Sequence, residues 1–112
     1  IEKDESVSYN RTWIAPKKST IATVFVGYAD GLNRRLSNGN WSFKKGQRQL
    51  PIVGDICMDL CMIDVTGVEI KIGDQLDILN SVEDIENMAK ALGTISYEVL
   101  TSISPRIERE YV

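Results

Sequence analysis

The 112 residues contain no histidine and only two cysteines, Cys57 and Cys61. Without imidazole there is no Ser-His-Asp set, and two thiols alone make a poor zinc site, so no metal is expected. In a strand, a spacing of four would put both sulfurs on one face, roughly 13 Å apart along it, beyond disulfide reach. The expected state is two small apolar residues in a reduced, cytosolic core. No apolar run approaches the roughly 20 residues of a membrane span, so no membrane partner is expected. Residues 1–6 are polar and acidic, unlike a signal peptide, and with no initiating Met the chain reads as a piece of something longer. Concentrated positive charge is missing as well. The net charge is -3, and the pairs Lys17-Lys18, Arg34-Arg35 and Lys44-Lys45 are scattered beside turn residues, which argues against a nucleic-acid surface.

What is present suits one modest globular domain spanning residues 1–112, with 43% hydrophobic and 26% charged residues. β-branched and aromatic residues predict a first strand over 7–14, ending before Pro16. TIATVFVGY, residues 20–28, is the strongest strand signal, and its near-continuous apolar character predicts burial on both faces. Asn38-Gly39 and Lys45-Gly46 supply hairpin chemistry on either side of Trp41-Ser42-Phe43. Residues 50–56, 58–65 and 75–79 read as further strands. The period then changes. Ser81 is a helix cap for Asp84, and Val82, Ile85, Met88, Ala89 and Leu92 recur at helical spacing up to Gly93. Thr94 is expected to cap a second short helix, 95–101, with Ile95, Val99 and Leu100 facing inward. The fold class is therefore mainly β: a small β-barrel-like domain with one or two short helices near the C-terminus.

Three places could carry chemistry. Tyr9, between Ser8 and Asn10-Arg11, is a phenol that would need a cationic or hydrogen-bonding setting to act as a base, and on pattern alone it reads first as an ordinary amphipathic-strand Tyr. Tyr28 stands between Gly27 and Ala29-Asp30-Gly31, where a strand ends and a ligand could be reached. In Gly54-Asp55-Ile56-Cys57-Met58-Asp59 the alternation fails, and either a bulge or a functional surface would explain two acids in an apolar run. No phosphate-cradling Gly-rich loop is present.

In order along the chain, Val7-Ser8-Tyr9, Gly27-Tyr28-Ala29-Asp30-Gly31, Pro51-Ile52-Val53-Gly54, Cys57-Met58-Asp59, Gly93-Thr94-Ile95-Ser96-Tyr97-Glu98 and Ile103-Ser104-Pro105-Arg106 resemble the C-terminal signatures of the alanine racemase family. The resemblance runs over nearly the whole chain. It implies a two-domain, pyridoxal-phosphate-dependent isomerase that interconverts L- and D-alanine in the cytoplasm and supplies peptidoglycan synthesis. Its N-terminal (β/α)8 barrel holds the cofactor on a Lys. That barrel segment is missing here, so pyridoxal phosphate is expected to be absent from this piece and the piece alone inactive. The implied partners are the barrels of the same and of the partner subunit in a homodimer, and a small amino-acid substrate.

Carried over by position, Tyr9 matches the catalytic Tyr that takes the α-proton of the L-enantiomer in the partner's site. Tyr28 matches a Tyr at the substrate entrance, and Met58 the residue whose backbone amide holds the substrate carboxylate. Asp59 is its neighbour and would tune the site, and Tyr97 matches a Tyr that hydrogen-bonds the cofactor phosphate. Asn10, Leu32, Asp55 and Leu60 depart from the family's usual residues; Asp55 stands where Arg is common near the substrate corridor. Those departures bear on substrate range and keep a serine or broad-specificity racemase open, as well as a non-catalytic dimerisation module.

Overall fold

The computed structural model describes residues 1–7 and 13–108; Tyr9 and Asn10 lie outside the described residues. Among the described residues, six strands and two α-helices follow one another: β1 (Ser6–Val7), β2 (Trp13–Ile14), β3 (Ile21–Val24), β4 (Ser42–Lys45), β5 (Arg48–Val53), β6 (Cys61–Asp64), α1 (Val82–Leu92) and α2 (Ser96–Thr101). β3, β6, β5 and β4 form one antiparallel four-stranded sheet in that order. β1 and β2 pair separately, Ser6 with Ile14 and Val7 with Trp13. The mainly-β class holds, but the sheet is open, with β3 and β4 as its outer strands, so the barrel description is loose.

Local chemistry explains these elements. Gly46 (φ +60°) supplies the left-handed residue that the two-residue β4–β5 hairpin needs, and Lys45 faces Arg48 across it. Asn38 (φ +57°) and Gly39 (φ +86°) make the turn before β4, and their amides donate to the carbonyls of Gly54 and Ile52. Alternation along β5 and β6 sends Leu50, Ile52, Cys61 and Ile63 to one face, where they meet Phe43, Leu36 and Ile56. Helix α1 closes that face with Met88 and Ala89 and brings Val99 of α2 with it. Ser81 caps α1 by accepting from the Asp84 amide at 3.1 Å, and Gly93 (φ +70°) ends it, as the sequence predicts.

Several expectations change. The single strand expected over 7–14 is not continuous: Val7 belongs to β1 and Trp13 and Ile14 to β2, and the two pair antiparallel. Strand β3 is not buried on both faces. It is an edge strand whose Ala22 and Val24 pack on the core while Thr23 is exposed, and Phe25 beyond it is 84% exposed. Residues 75–79 make only one bridge, Asp77 to Lys44, extending the sheet past β4 by a single residue pair. Ile95, not Thr94, caps α2 and does so without a side-chain bond. Of the three residues expected to face inward from α2, Val99 is buried whereas Ile95 and Leu100 are exposed, since a two-turn helix presents one residue per turn to α1. On α1, Val82 is likewise exposed. Asp84, a charged residue, is buried instead, because Lys44 reaches it at 2.7 Å and the Asn80 amide at 3.0 Å. No helix among the described residues is long and apolar enough to cross a membrane.

Candidate active site

Where the chain leaves β3, Gly27 starts a 3-10 turn, Tyr28–Asp30. A Cβ on Gly27 would lie 2.2 Å from the Cys57 carbonyl oxygen and 2.4 Å from that of Met58. Only glycine permits this approach. With the two segments this close, the Tyr28 amide donates to the Cys57 carbonyl and the Ala29 amide to the Met58 carbonyl, both at 3.0 Å. Gly27 also donates its amide to Asp30 Oδ2 at 3.0 Å, which closes the turn on itself.

The opposing segment is longer than a bulge. β5 stops at Val53 and β6 begins at Cys61, and the residues between form a loop in which the Cys57 amide donates to the Leu60 carbonyl at 2.9 Å. The failed alternation at Asp55 and Asp59 therefore marks a break in the strand. The Met58 amide donates to no other described residue, and the side chains of Tyr28 and Met58 are both about half exposed. Asp55 accepts from Asn38 Nδ2 at 3.2 Å, and among the described residues no cation pairs with it.

One cation does reach this edge. Arg106 Nε lies 2.9 Å from Asp30 Oδ1, and its terminal nitrogen lies 3.3 Å from Asp59 Oδ1. The segment carrying it is anchored by backbone: the Ser104 amide donates to the Asp30 carbonyl at 3.1 Å. Gly31 (φ +105°) faces the Ser102 carbonyl so closely that a Cβ would meet it at 2.5 Å.

The structure thus brings together three of the five residues expected in the site, Tyr28, Met58 and Asp59. Tyr97 sits on α2, 78% exposed, and no hydrogen bond or ion pair among the described residues links it to those three. Tyr9 lies outside the described residues. Sequence reasoning assigned no part to Arg106 and Asp30. The available signal was a lone Arg after Pro105 in a motif that also contains the Tyr28 turn's partner residues.

The cysteines are both free. Cys61 is buried in the sheet, and burial, followed by the neighbouring Cys57, pushes its thiol up to about 12. A thiol held protonated in this way is a packing group rather than a nucleophile. The amines are committed or solvated. Lys44 pairs with Asp84 and Lys45 with Asp74 at 2.9 Å, and the other five lysines are exposed. No cluster of three or more metal-capable side chains occurs among the described residues.

Against known proteins, residues 1–111 match the family model described as alanine racemase, C-terminal domain. The chain is 48% identical over 111 residues to an alanine racemase of Desulfosudis oleivorans, covering 95% of this chain and 28% of that protein. It is 47% identical over 110 residues to alanine racemase 1 of Caldanaerobacter subterraneus subsp. tengcongensis, covering 94% and 28%. Among solved structures, alanine racemase from Bartonella henselae with covalently bound pyridoxal phosphate superimposes with a TM-score of 0.91 at 34% identity, covering all of this chain and 32% of that one. The chain therefore spans less than a third of the length of each.

Proposed function

The chain belongs to the alanine racemase C-terminal domain family, and on that premise we propose that it completes the active site of an isomerase that interconverts L- and D-alanine. The observation that carries this reading is the docking of the Tyr28 turn on the Cys57–Met58 carbonyls, which gathers Tyr28, Asp59 and a Met58 amide that donates to no other described residue at one exposed edge. In this reading the Met58 amide receives the substrate carboxylate. A backbone N–H is suited to that task because it is neutral, directional and fixed by the fold. Tyr28 narrows the approach to it. Tyr9 accepts the α-proton of the L-enantiomer. A racemase needs one base on each face of the substrate α-carbon, and a phenol serves only where its surroundings favour the phenolate.

Pyridoxal phosphate withdraws electrons from the substrate α-carbon when bound. This chain does not fit the whole group: among the described residues, the ion pairs of its lysines are with Glu2, Asp84 and Asp74, and none involves a residue of this edge. The amine belongs to another part of the enzyme, and Tyr97 contributes a hydroxyl toward the phosphate. An exposed edge of this composition fits a partner barrel. In the full enzyme it serves a homodimer that works in the cytoplasm and supplies D-alanine for peptidoglycan.

The test is α-deuterium exchange in heavy water, started separately from L- and D-alanine, in the full enzyme and its Tyr9→Phe variant. Exchange from L-alanine is expected to collapse by about 10²- to 10⁴-fold while D-alanine still exchanges. Unchanged exchange from both enantiomers would remove Tyr9 from the chemistry and leave the domain a scaffold.

A further inference from the structure

We propose that Arg106 is a positioning residue for the substrate side of this domain, tying the Tyr28 turn and the Met58–Asp59 loop to the chain that leaves α2. The inference rests on the assignment of Tyr28 and Met58 to substrate binding.

Asp30 is the starting point. Its carboxylate is only 9% exposed, and a carboxylate taken out of water needs a charged or hydrogen-bonding partner on each oxygen. One oxygen takes the Gly27 amide at 3.0 Å and the other takes Arg106 Nε at 2.9 Å. This uses one edge of the guanidinium and leaves a terminal nitrogen pointing across the turn, where it meets Asp59 at 3.3 Å. The planar fork of Arg can serve two carboxylates in fixed directions, whereas a Lys ammonium is a point charge on a flexible stem. The fork is itself held. The Arg106 amide donates to Ser104 Oγ at 3.2 Å, and Ser104 donates its own amide to the Asp30 carbonyl.

The two halves of the site are held unequally. The Tyr28 turn is fixed by its own internal bonds and by the Gly27 and Gly31 close approaches. The Met58–Asp59 loop is attached to it through two backbone hydrogen bonds, and its outward side has Arg106 as the one cation within ion-pair distance among the described residues. An exposed pair of this kind adds little to global stability. Its effect is local: it restricts the direction in which the Met58 amide points, and so acts on substrate capture more than on folding.

Steady-state racemisation by the full enzyme, measured in both directions, tests this with Arg106→Lys, Arg106→Ala, Asp59→Asn and the Arg106→Ala/Asp59→Asn double variant. Arg106→Lys and Asp59→Asn are each expected to raise KM for alanine by about five- to tenfold, with kcat changed less than KM. The double variant is expected to be no worse than Arg106→Ala alone, because both residues act through one contact. An unchanged KM in Arg106→Lys and Asp59→Asn overturns the proposal, and so do effects that multiply in the double variant. Tyr28→Ala separates the two layers. If it raises KM while the Arg106 and Asp59 variants do not, the clamp fails and the site assignment stands. If it leaves KM unchanged, the site assignment fails and takes the clamp with it.

Discussion

At Gly27 the backbone is extended (φ -148°), a conformation open to any residue, yet the space beside it is already filled by the Cys57 and Met58 carbonyls. Gly27→Ala is therefore expected to push the Met58 loop away, break the amide bonds from Tyr28 and Ala29, and cost about 1–3 kcal/mol. Denaturant unfolding measures that loss, and an Ala variant as stable as the parent would mean the loop moves aside freely. The motif around Gly27 was legible in the sequence as a place where glycine matters. Which atoms make it matter was not, because Cys57 and Met58 lie thirty residues away along the chain and meet it only through β3–β6 pairing. Arg106 is a similar case, since its two carboxylates come from separate loops.

Helix α1 was the most legible element. Its Ser81 cap, acidic first turn, terminal Gly93 and apolar stripe agree with one another and, Val82 apart, with the structure. Its burial of Asp84 was not legible, because the cation that makes this tolerable comes from β4. The Lys44 ammonium, with the Asn80 amide, holds the Asp84 carboxyl below its ordinary value, and Lys45 does the same for Asp74. The sign follows directly. A carboxyl whose folded value lies below its unfolded value contributes stability above the unfolded value and loses it as pH falls through the folded one. Asp84→Asn is thus expected to lower the urea midpoint at pH 7, by roughly 1–2 kcal/mol in stability, and to differ less and less from the parent as pH falls below the usual carboxylate range. A gap that stays constant down to the acid limit would show that the charge on Asp84 plays no part. Strands were less legible than α1. A short edge strand such as β3 shares its composition with a central one, and only its place at the end of the sheet leaves Thr23 and Phe25 outward.

At the scale of the whole molecule, one core among the described residues joins the sheet to both helices. The domain alone is expected to unfold cooperatively on heating while showing no alanine racemisation, a pair of results read by circular dichroism and a coupled D-alanine assay. Turnover by the isolated domain would contradict the division of labour drawn above, in which the amine and the cofactor come from elsewhere. The sequence by itself determined the mainly-β class, the hairpin at Gly46, the extent and caps of α1, the exclusion of histidine chemistry, and the family. Each of these follows from local dihedral preference, periodicity or residue identity, which are carried by neighbours in the chain. Tertiary structure alone decided that the sheet stays open and that Asp55 to Leu60 form a loop. It also decided that Asp84 is buried against Lys44 and that Arg106 spans Asp30 and Asp59. Those depend on long-range pairings, and a charge or an edge has no local signature until its distant partner is in place.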